Sequence, residues 1–167
     1  MHTLESFDFT DKRVILRCDL NVPIKNGQIT DPGRIVASLP TIEIIGKKAR
    51  SIVILAHLGR PKEGFAPEFS LTPVANRLGE LLKDVVACVS DIEEAKKLAA
   101  ASPGTVVLLE NIRFFAAETS KDDGERAAFA RELATLGDIY VGDGFGAVHR
   151  KHASVYDLPQ LMPHCAG

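Results

Sequence analysis

Apolar residues come in short runs along this chain, and most runs are succeeded by a longer stretch in which they recur at helical spacing. Val14-Ile15-Leu16, Ser51-Ile52-Val53-Ile54-Leu55-Ala56, Thr105-Val106-Val107-Leu108-Leu109 and Asp138-Ile139-Tyr140-Val141 are too short for helices and suit buried strands. The pattern predicts strands over Arg13–Asp19, Ser51–Ala56, Val85–Val89, Thr105–Glu110 and Asp138–Val141. Helices are expected between them. Asp31-Pro32 has the form of a helix start, with Asp as N-cap and Pro in the first turn; that helix should reach Lys48, with Pro40 kinking it or starting a new one. Ser70 can cap a helix over Leu71–Lys83. Asp91 and Glu94 have capping-box spacing at the head of a helix to Ala101, with Glu93 and Lys97 as an i, i+4 pair. A further helix covers Ala127–Leu133 behind the charged stretch Lys121–Arg126, and Ser154 is placed to cap a last short helix broken by Pro159 and Pro163. Asn26-Gly27 marks a type I′ hairpin within Ile24–Ile29, and Gly59–Phe69 reads as a long loop. Strands alternating with helices define an α/β fold with a parallel sheet covered on both faces. Neither repeat nor internal boundary is visible, so residues 1–167 are read as a single domain.

The polar residues at the end of each apolar run are more informative than the run itself. Val14-Ile15-Leu16 leads into Arg17-Cys18-Asp19-Leu20-Asn21-Val22-Pro23, where Arg17, Asp19 and Asn21 alternate and, in extended backbone, share a side. The second run leads into His57-Leu58-Gly59-Arg60-Pro61, the third into Glu110-Asn111-Ile112-Arg113, and the fourth into Gly142-Asp143-Gly144-Phe145-Gly146-Ala147-Val148-His149-Arg150. Arg34 falls in the first turn of the Asp31 helix, where backbone N–H groups already favour an anion. Ligands of open parallel sheets bind beyond the carboxyl ends of the strands. Arg17, Arg34, His57, Arg60, Arg113, His149 and Arg150 should therefore meet at one rim, a place for a small and highly charged anion. Guanidinium forks suit phosphate and carboxylate geometry, and Asp19 and Asn21 would orient neutral parts of the guest.

Composition narrows the alternatives. Net charge is −2, with 46% hydrophobic and 25% charged residues, so the basic surplus of a broad nucleic-acid footprint is missing and any cation cluster is local. Cys18, Cys88 and Cys165 are odd in number and form no CxxC pair, which reads as reduced thiols rather than a disulfide framework or zinc site. No metal set is evident from the sequence; His152 and His164 have no partner at ligand spacing and suggest surface or capping roles. The first twenty residues carry Glu5, Asp8, Asp11, Lys12 and Arg13 with no apolar core of a signal peptide. No run approaches the roughly 18 apolar residues of a membrane span. A cytoplasmic protein without membrane or nucleic-acid partners is expected.

The GxGxxA pattern from Gly142 to Ala147 imitates a dinucleotide fingerprint, but no clear helix begins at Ala147 and this sequence stops where the acidic ribose contact would be expected, about twenty positions on. No GxxxxGK[ST] loop is present either. The glycines are better read as letting the backbone turn sharply and set His149 and Arg150 toward the rim.

Taken together, Arg17-Cys18-Asp19-Leu20-Asn21-Val22-Pro23, His57-Leu58-Gly59-Arg60-Pro61, Leu109-Glu110-Asn111-Ile112-Arg113-Phe114 and Asp143 through Arg150 resemble the motifs of phosphoglycerate kinases, in the same order and at similar spacing over essentially the whole chain. The resemblance implies that family's N-terminal domain, a three-layer α/β/α, Rossmann-like unit with a six-stranded parallel sheet. It places Asp19, Asn21, Arg34, His57, Arg60, Arg113 and Arg150 on the positions that hold 3-phosphoglycerate or 1,3-bisphosphoglycerate. It implies phosphoryl transfer between 1,3-bisphosphoglycerate and ADP, giving 3-phosphoglycerate and ATP in glycolysis. Such transfers depend on positioning and charge stabilisation, and Arg34 is the residue expected to act on the moving group.

The family usually carries Asn at Gly142, Ala at Gly144 and Thr-Ala at Ala147-Val148; none of these differences removes a charge. Its nucleotide domain, which binds ADP or ATP and Mg, has no counterpart before Gly167. The expectation is a fragment that binds substrate, holds no cofactor of its own and does not catalyse alone, from a monomeric full-length enzyme. An NAD-binding module and a non-enzymatic phosphate or nucleic-acid binder are the competing readings.

Overall fold

A computed structural model describes residues 2–62, 64–144 and 150–167. Among the described residues, eight strands and four α-helices succeed one another as β1 (Arg13–Cys18), β2 (Ile24–Lys25), β3 (Gln28–Ile29), α1 (Gly33–Gly46), β4 (Ser51–Leu55), α2 (Thr72–Leu82), β5 (Ala87–Val89), α3 (Ile92–Ala101), β6 (Thr105–Leu109), α4 (Asp123–Ala134), β7 (Ile139–Asp143) and β8 (His164–Ala166). Six of them form one sheet in the order β5-β6-β4-β1-β7-β8, parallel at every pairing. β2 and β3 form the expected hairpin, with Asn26 and Gly27 both at positive φ as a type I′ turn requires. This is an α/β, Rossmann-like fold with helices on both faces of a parallel sheet.

Alternation along the central strands explains the layers. Val14, Leu16 and Cys18 of β1 and Ile52 and Ile54 of β4 join Ile35, Ile42 and Ile45 of α1 and Val74 and Leu78 of α2 in one core. The intervening Ile15, Val53 and Leu55 join Ala95 and Ala99 of α3 and Phe129, Ala130 and Leu133 of α4 in the other. β4 is buried at all five positions, as expected of a strand covered on both sides. Burial of this kind contributes about 1.5–3 kcal/mol for each large apolar side chain.

Several local expectations shift. α1 is one continuous helix through Pro40; Pro40 and Val36 are both exposed, so the carbonyl of Val36 that loses its N–H partner can be hydrated. Asp31 acts one residue early, its Oδ1 accepting the Gly33 N–H at 2.9 Å while Pro32 occupies the cap position. Asp91 does cap α3 through the Glu94 N–H, but Glu93 pairs with Lys96 at 2.9 Å and not with Lys97. Ser154 caps no helix: Ala153–Asp157 is a single π turn continued by a 3-10 turn over Leu158–Leu161, and Ser154 is buried within it. The sixth strand of the sheet, β8, is too short to announce itself by periodicity.

The chain turns tightly into β7. Asp138 accepts from the Arg13 backbone N–H at 2.9 Å, and its own N–H donates to the Arg13 carbonyl at 2.7 Å. A Cβ on the preceding Gly137 would lie 2.7 Å from Ile15 Cγ1 and 3.0 Å from the Arg13 carbonyl oxygen. Gly137→Ala is therefore expected to destabilise the protein by about 1–3 kcal/mol, read as a lower urea midpoint at unchanged m-value; an unchanged midpoint would show that β1 and β7 do not approach as described.

Candidate functional site

The carboxyl ends of β1, β4 and β6 and the start of α1 surround a cavity of about 280 Å³ lined by Asp19, Asn21, Arg34, His57, Gly59, Arg60, Arg113 and Arg150. Four guanidinium groups thus face one carboxylate. Asp19 is already engaged: its Oδ1 accepts from Arg34 NH1 at 3.0 Å, and the same nitrogen donates to the Asn21 carbonyl at 3.1 Å. Among the described residues no ion pair involves Arg60, Arg113 or Arg150. Arg113 NH1 donates to the Gly59 carbonyl at 2.7 Å, while its buried Nε has no partner. Burial and the cations Arg150, Arg17 and Arg60 all push the Arg113 pKa down, partly opposed by Glu118. An unpartnered buried donor beside unpaired cations is costly until an anion supplies acceptors.

Gly59 ties these pieces together by its backbone. Its N–H donates to Asn21 Oδ1 at 2.9 Å and its carbonyl receives Arg113. It adopts φ +60, and a Cβ there would lie 2.4 Å from the Phe69 ring, so position 59 requires glycine for both conformation and space. The neighbouring turn is held by Asn111, whose side-chain amide donates to the carbonyls of Leu58 at 2.7 Å and Phe69 at 3.0 Å.

Beneath the cavity lies a polar layer. Arg17 projects to the same face of the sheet as Ile15, is 2% exposed, and donates through NH2 to His57 Nδ1 at 3.0 Å, through Nε to Ser154 Oγ at 3.1 Å and through NH1 to the Cys18 carbonyl. Ser154 in turn donates its hydroxyl to Glu118 Oε1 and its N–H to Oε2 at 2.9 Å. The Tyr140 hydroxyl donates to the Ser154 carbonyl at 2.8 Å. Burial, reinforced by Arg17 and Arg113, pushes the His57 pKa down to about 3, so the ring is neutral at physiological pH. Burial pushes Glu118 up to about 7 against the hydrogen bonds from Ser154 and the nearby Arg17 and Arg113.

Asp19, Asn21, Arg34, His57, Arg60, Arg113 and Arg150, the seven residues that the resemblance singles out, line one cavity. Arg17 belongs to the buried layer below it, because β1 ends at Cys18 and the alternation does not carry through to Asp19 and Asn21. His149, Ala147 and the rest of 145–149 lie outside the described residues, so only Gly142 and Gly144 of the GxGxxA pattern are placed. His152 is not a surface residue: it is 9% exposed, its Nδ1 lacks a partner, and burial together with Arg113, Arg150, Arg17 and Arg126 lowers its pKa to about 4. His164 is exposed, with Nδ1 near the Met162 carbonyl. Ser154 and Glu118 were missed because a lone Ser and a lone Glu carry no sequence signal until the fold buries them together. A larger groove of about 930 Å³ between the hairpin and α2 contains Arg77 and Glu80, which neutralise each other at 2.9 Å. It is no rival for an anion.

The described residues contain no group of three or more His, Cys, Asp or Glu suited to a metal, and the one carboxylate of the cavity is paired with Arg34. They do not fit a magnesium site. No described helix is long and apolar enough to cross a membrane.

An α/β sheet with a cationic crevice at its carboxyl edge is the arrangement of proteins that take small phosphorylated ligands. Residues 4–167 match the family model described as phosphoglycerate kinase, and the chain belongs to that family. It is 57% identical over 159 residues to phosphoglycerate kinase of Streptomyces avermitilis, covering 93% of this chain and 40% of that protein. It is 51% identical to that of Leifsonia xyli, covering 100% of this chain and 42% of the other. The solved structure of phosphoglycerate kinase from Coxiella burnetii superposes with a TM-score of 0.87 at 41% identity over 99% of this chain and 41% of that one. Phosphoglycerate kinase from Pyrococcus horikoshii gives 0.86 at 34% identity, over 100% and 42%. The chain thus spans about 40% of the length of the relatives it matches.

The buried layer gives the fold a readable pH dependence. Lowered pKa values at His57 and His152 mean stability lost as pH falls below their ordinary 6.5 toward about 3 and 4 respectively. The raised value at Glu118 acts oppositely, with stability present below its ordinary 4.5 and lost as pH rises through about 7. Glu118→Gln removes only the second effect. Its melting temperature relative to the parent should shift in the variant's favour between pH 5 and pH 8, by no more than about 3 kcal/mol equivalent; a difference that is flat with pH would place Glu118 in contact with water.

Proposed function

We propose that this chain is the substrate-binding part of a glycolytic phosphoglycerate kinase and that the cavity takes 3-phosphoglycerate or 1,3-bisphosphoglycerate. The observation that carries the reading is the convergence of Arg34, Arg60, Arg113 and Arg150 with neutral His57 around one cavity of about 280 Å³, three of the four guanidinium groups having no carboxylate partner among the described residues. Arg60, Arg113 and Arg150 grip the phosphate of the substrate, with His57 Nε2–H as a neutral donor. Asp19 and Asn21 orient the glycerate portion. The Asn21 Oδ1 is occupied by the Gly59 N–H, which leaves its NH2 to donate to a hydroxyl or carboxylate.

Arg34 is the one cation of the cavity tied to a helix start, in the first turn of α1 and held by Asp19 and the Asn21 carbonyl. A pre-positioned cation beside backbone N–H groups suits charge that develops only as phosphoryl moves. In this reading the nucleotide and its magnesium, which supply the phosphoryl acceptor and neutralise its charge, belong to a part of the protein outside these residues. The chain alone binds substrate without turning it over, and the whole protein works as a cytoplasmic monomer.

Calorimetric titration tests this directly. Purified chain should bind 3-phosphoglycerate saturably and one to one, and bind neither NAD nor a short oligonucleotide; Arg113→Ala should weaken binding at least tenfold, as loss of one or two hydrogen bonds of about 1.5–3 kcal/mol to a charged group requires. Heat from NAD and none from 3-phosphoglycerate would overturn the reading. In a polypeptide that also carries the nucleotide-binding part, Arg34→Ala should collapse kcat with little loss of 3-phosphoglycerate affinity, and the reverse pattern would move Arg34 to substrate binding.

A further inference from the structure

We propose that Ser154 and Glu118, neither of which lines the cavity, are positioning residues that hold the His57 ring in one tautomer and one orientation through the Arg17 guanidinium. The tautomer stands on bond directions alone; its effect on affinity rests on the reading that the cavity takes 3-phosphoglycerate.

With Glu118 ionised, each proton in the layer has a determined place. A guanidinium can only donate, so His57 Nδ1, 3.0 Å from Arg17 NH2, accepts and the ring proton sits on Nε2. Ser154 Oγ, 3.1 Å from Arg17 Nε, likewise accepts, which directs its own hydroxyl proton to Glu118 Oε1. The second carboxylate oxygen is fixed by the Ser154 backbone N–H at 2.9 Å, and the Ser154 carbonyl by the Tyr140 hydroxyl at 2.8 Å. The line runs without a free choice from Glu118 to the histidine. Arg17, Ser154 and Glu118 are 2%, 0% and 0% exposed, so water offers no substitute partner.

Arg17 has no direct ion pair among the described residues. Its countercharge reaches it through the Ser154 hydroxyl. Removing that hydroxyl orphans Arg17 Nε and frees the guanidinium to turn, and His57 then loses the donor that forbids a proton on Nδ1. The charged and titratable groups around His57 are Arg17 from β1, Arg34 from α1, Arg113 from the turn after β6 and His152 ahead of the π turn, with Asp19, Arg60 and Arg150 sharing the cavity. Around Glu118 they are Arg17, Arg113 and Tyr140 of β7. Nearly all the charge facing His57 is positive, so the ring contributes as a neutral donor whose strength does not vary with pH.

Nitrogen-15 spectra of the imidazole in the ligand-free chain test the assignment. His57 should show the Nε2–H form at pH 8, where Glu118 is largely ionised, and stay neutral down to pH 5. In Ser154→Ala the ring should become a mixture of tautomers and titrate within that range, 3-phosphoglycerate affinity at pH 8 should fall roughly tenfold, and Ser154→Thr should restore both. Glu118→Gln, which keeps the shape and loses the charge, is the second variant and should admit the Nδ1–H tautomer at pH 8 while the ring stays neutral, since burial and the surrounding cations still hold its pKa down. A parent ring carrying its proton on Nδ1, or titrating near pH 6.5, would overturn the proposal without any variant; so would an unchanged His57 spectrum in folded Ser154→Ala and Glu118→Gln. Should the parent show the expected tautomer yet bind no 3-phosphoglycerate, the function proposed above fails and the positioning assignment stands.

Discussion

Crowding of like charge is the constraint to which the rest of this structure answers. Two unit charges about 8 Å apart repel by about 2 kcal/mol at an effective dielectric of about 20. Four guanidinium groups around one cavity make six pairs of like charge, a cost to be set against a whole-domain stability of only about 5–15 kcal/mol. The chain lowers this cost in separable ways. Arg34, Arg60 and Arg150 stand in solvent, where screening is strong; Arg34 is paired with Asp19; and the buried ring among them, His57, stays neutral. The uncompensated remainder is chiefly Arg113 with its orphaned Nε, the charge that the proposed anionic substrate would relieve.

Parallel topology makes such a gathering possible with little sequence. Every strand of the six-stranded sheet ends at the same edge, so residues far apart along the chain arrive side by side without long-range design beyond the strands themselves. β1 leads to Asp19 and Asn21, β4 to His57 and Arg60, β6 to Arg113. Register supplies the precision: Arg17 lies opposite both Leu55 and Gly142, which sets the end of β1 level with its neighbours. The sheet interior carries the apolar burial, and the polar cost is confined to the loops beyond it, where backbone groups such as those of Gly59 act as struts.

Legibility in the sequence divides along the same line. Strand positions, the Asn26-Gly27 turn and the cavity residues were legible because they depend on local pattern: an apolar run, a turn dipeptide, a cation just past a strand end. Pro40 misled because its effect on α1 depends on which side of the helix faces water. Ser154 misled because its spacing before an apolar stretch suits a cap, whereas burial beside Arg17 and Glu118 gives it another bond to make. His152 looked solitary in the sequence and is surrounded in space by Arg113, Arg150, Arg17 and Arg126. The missed residues share one property: their role comes from being enclosed, and enclosure depends on packing partners far away in the chain.

That distinction bears on how the site divides its work. Cations at the surface can be long and mobile, since an anion collects whatever reaches it, and such contacts tolerate substitution in their surroundings. A neutral histidine donor is different, because its usefulness depends on which nitrogen holds the proton, and in water the two tautomers and the cation interconvert freely near pH 6.5. Fixing it demands a donor that can never accept, which a charged Arg or Lys supplies, and that donor must itself be immobilised away from water. A buried arginine then needs a countercharge, yet a carboxylate in direct contact with Arg17 would put negative charge close beneath the anion cavity. Placing Glu118 one hydroxyl further away meets both demands: the guanidinium is anchored and partly neutralised, and the charge seen from the cavity remains positive.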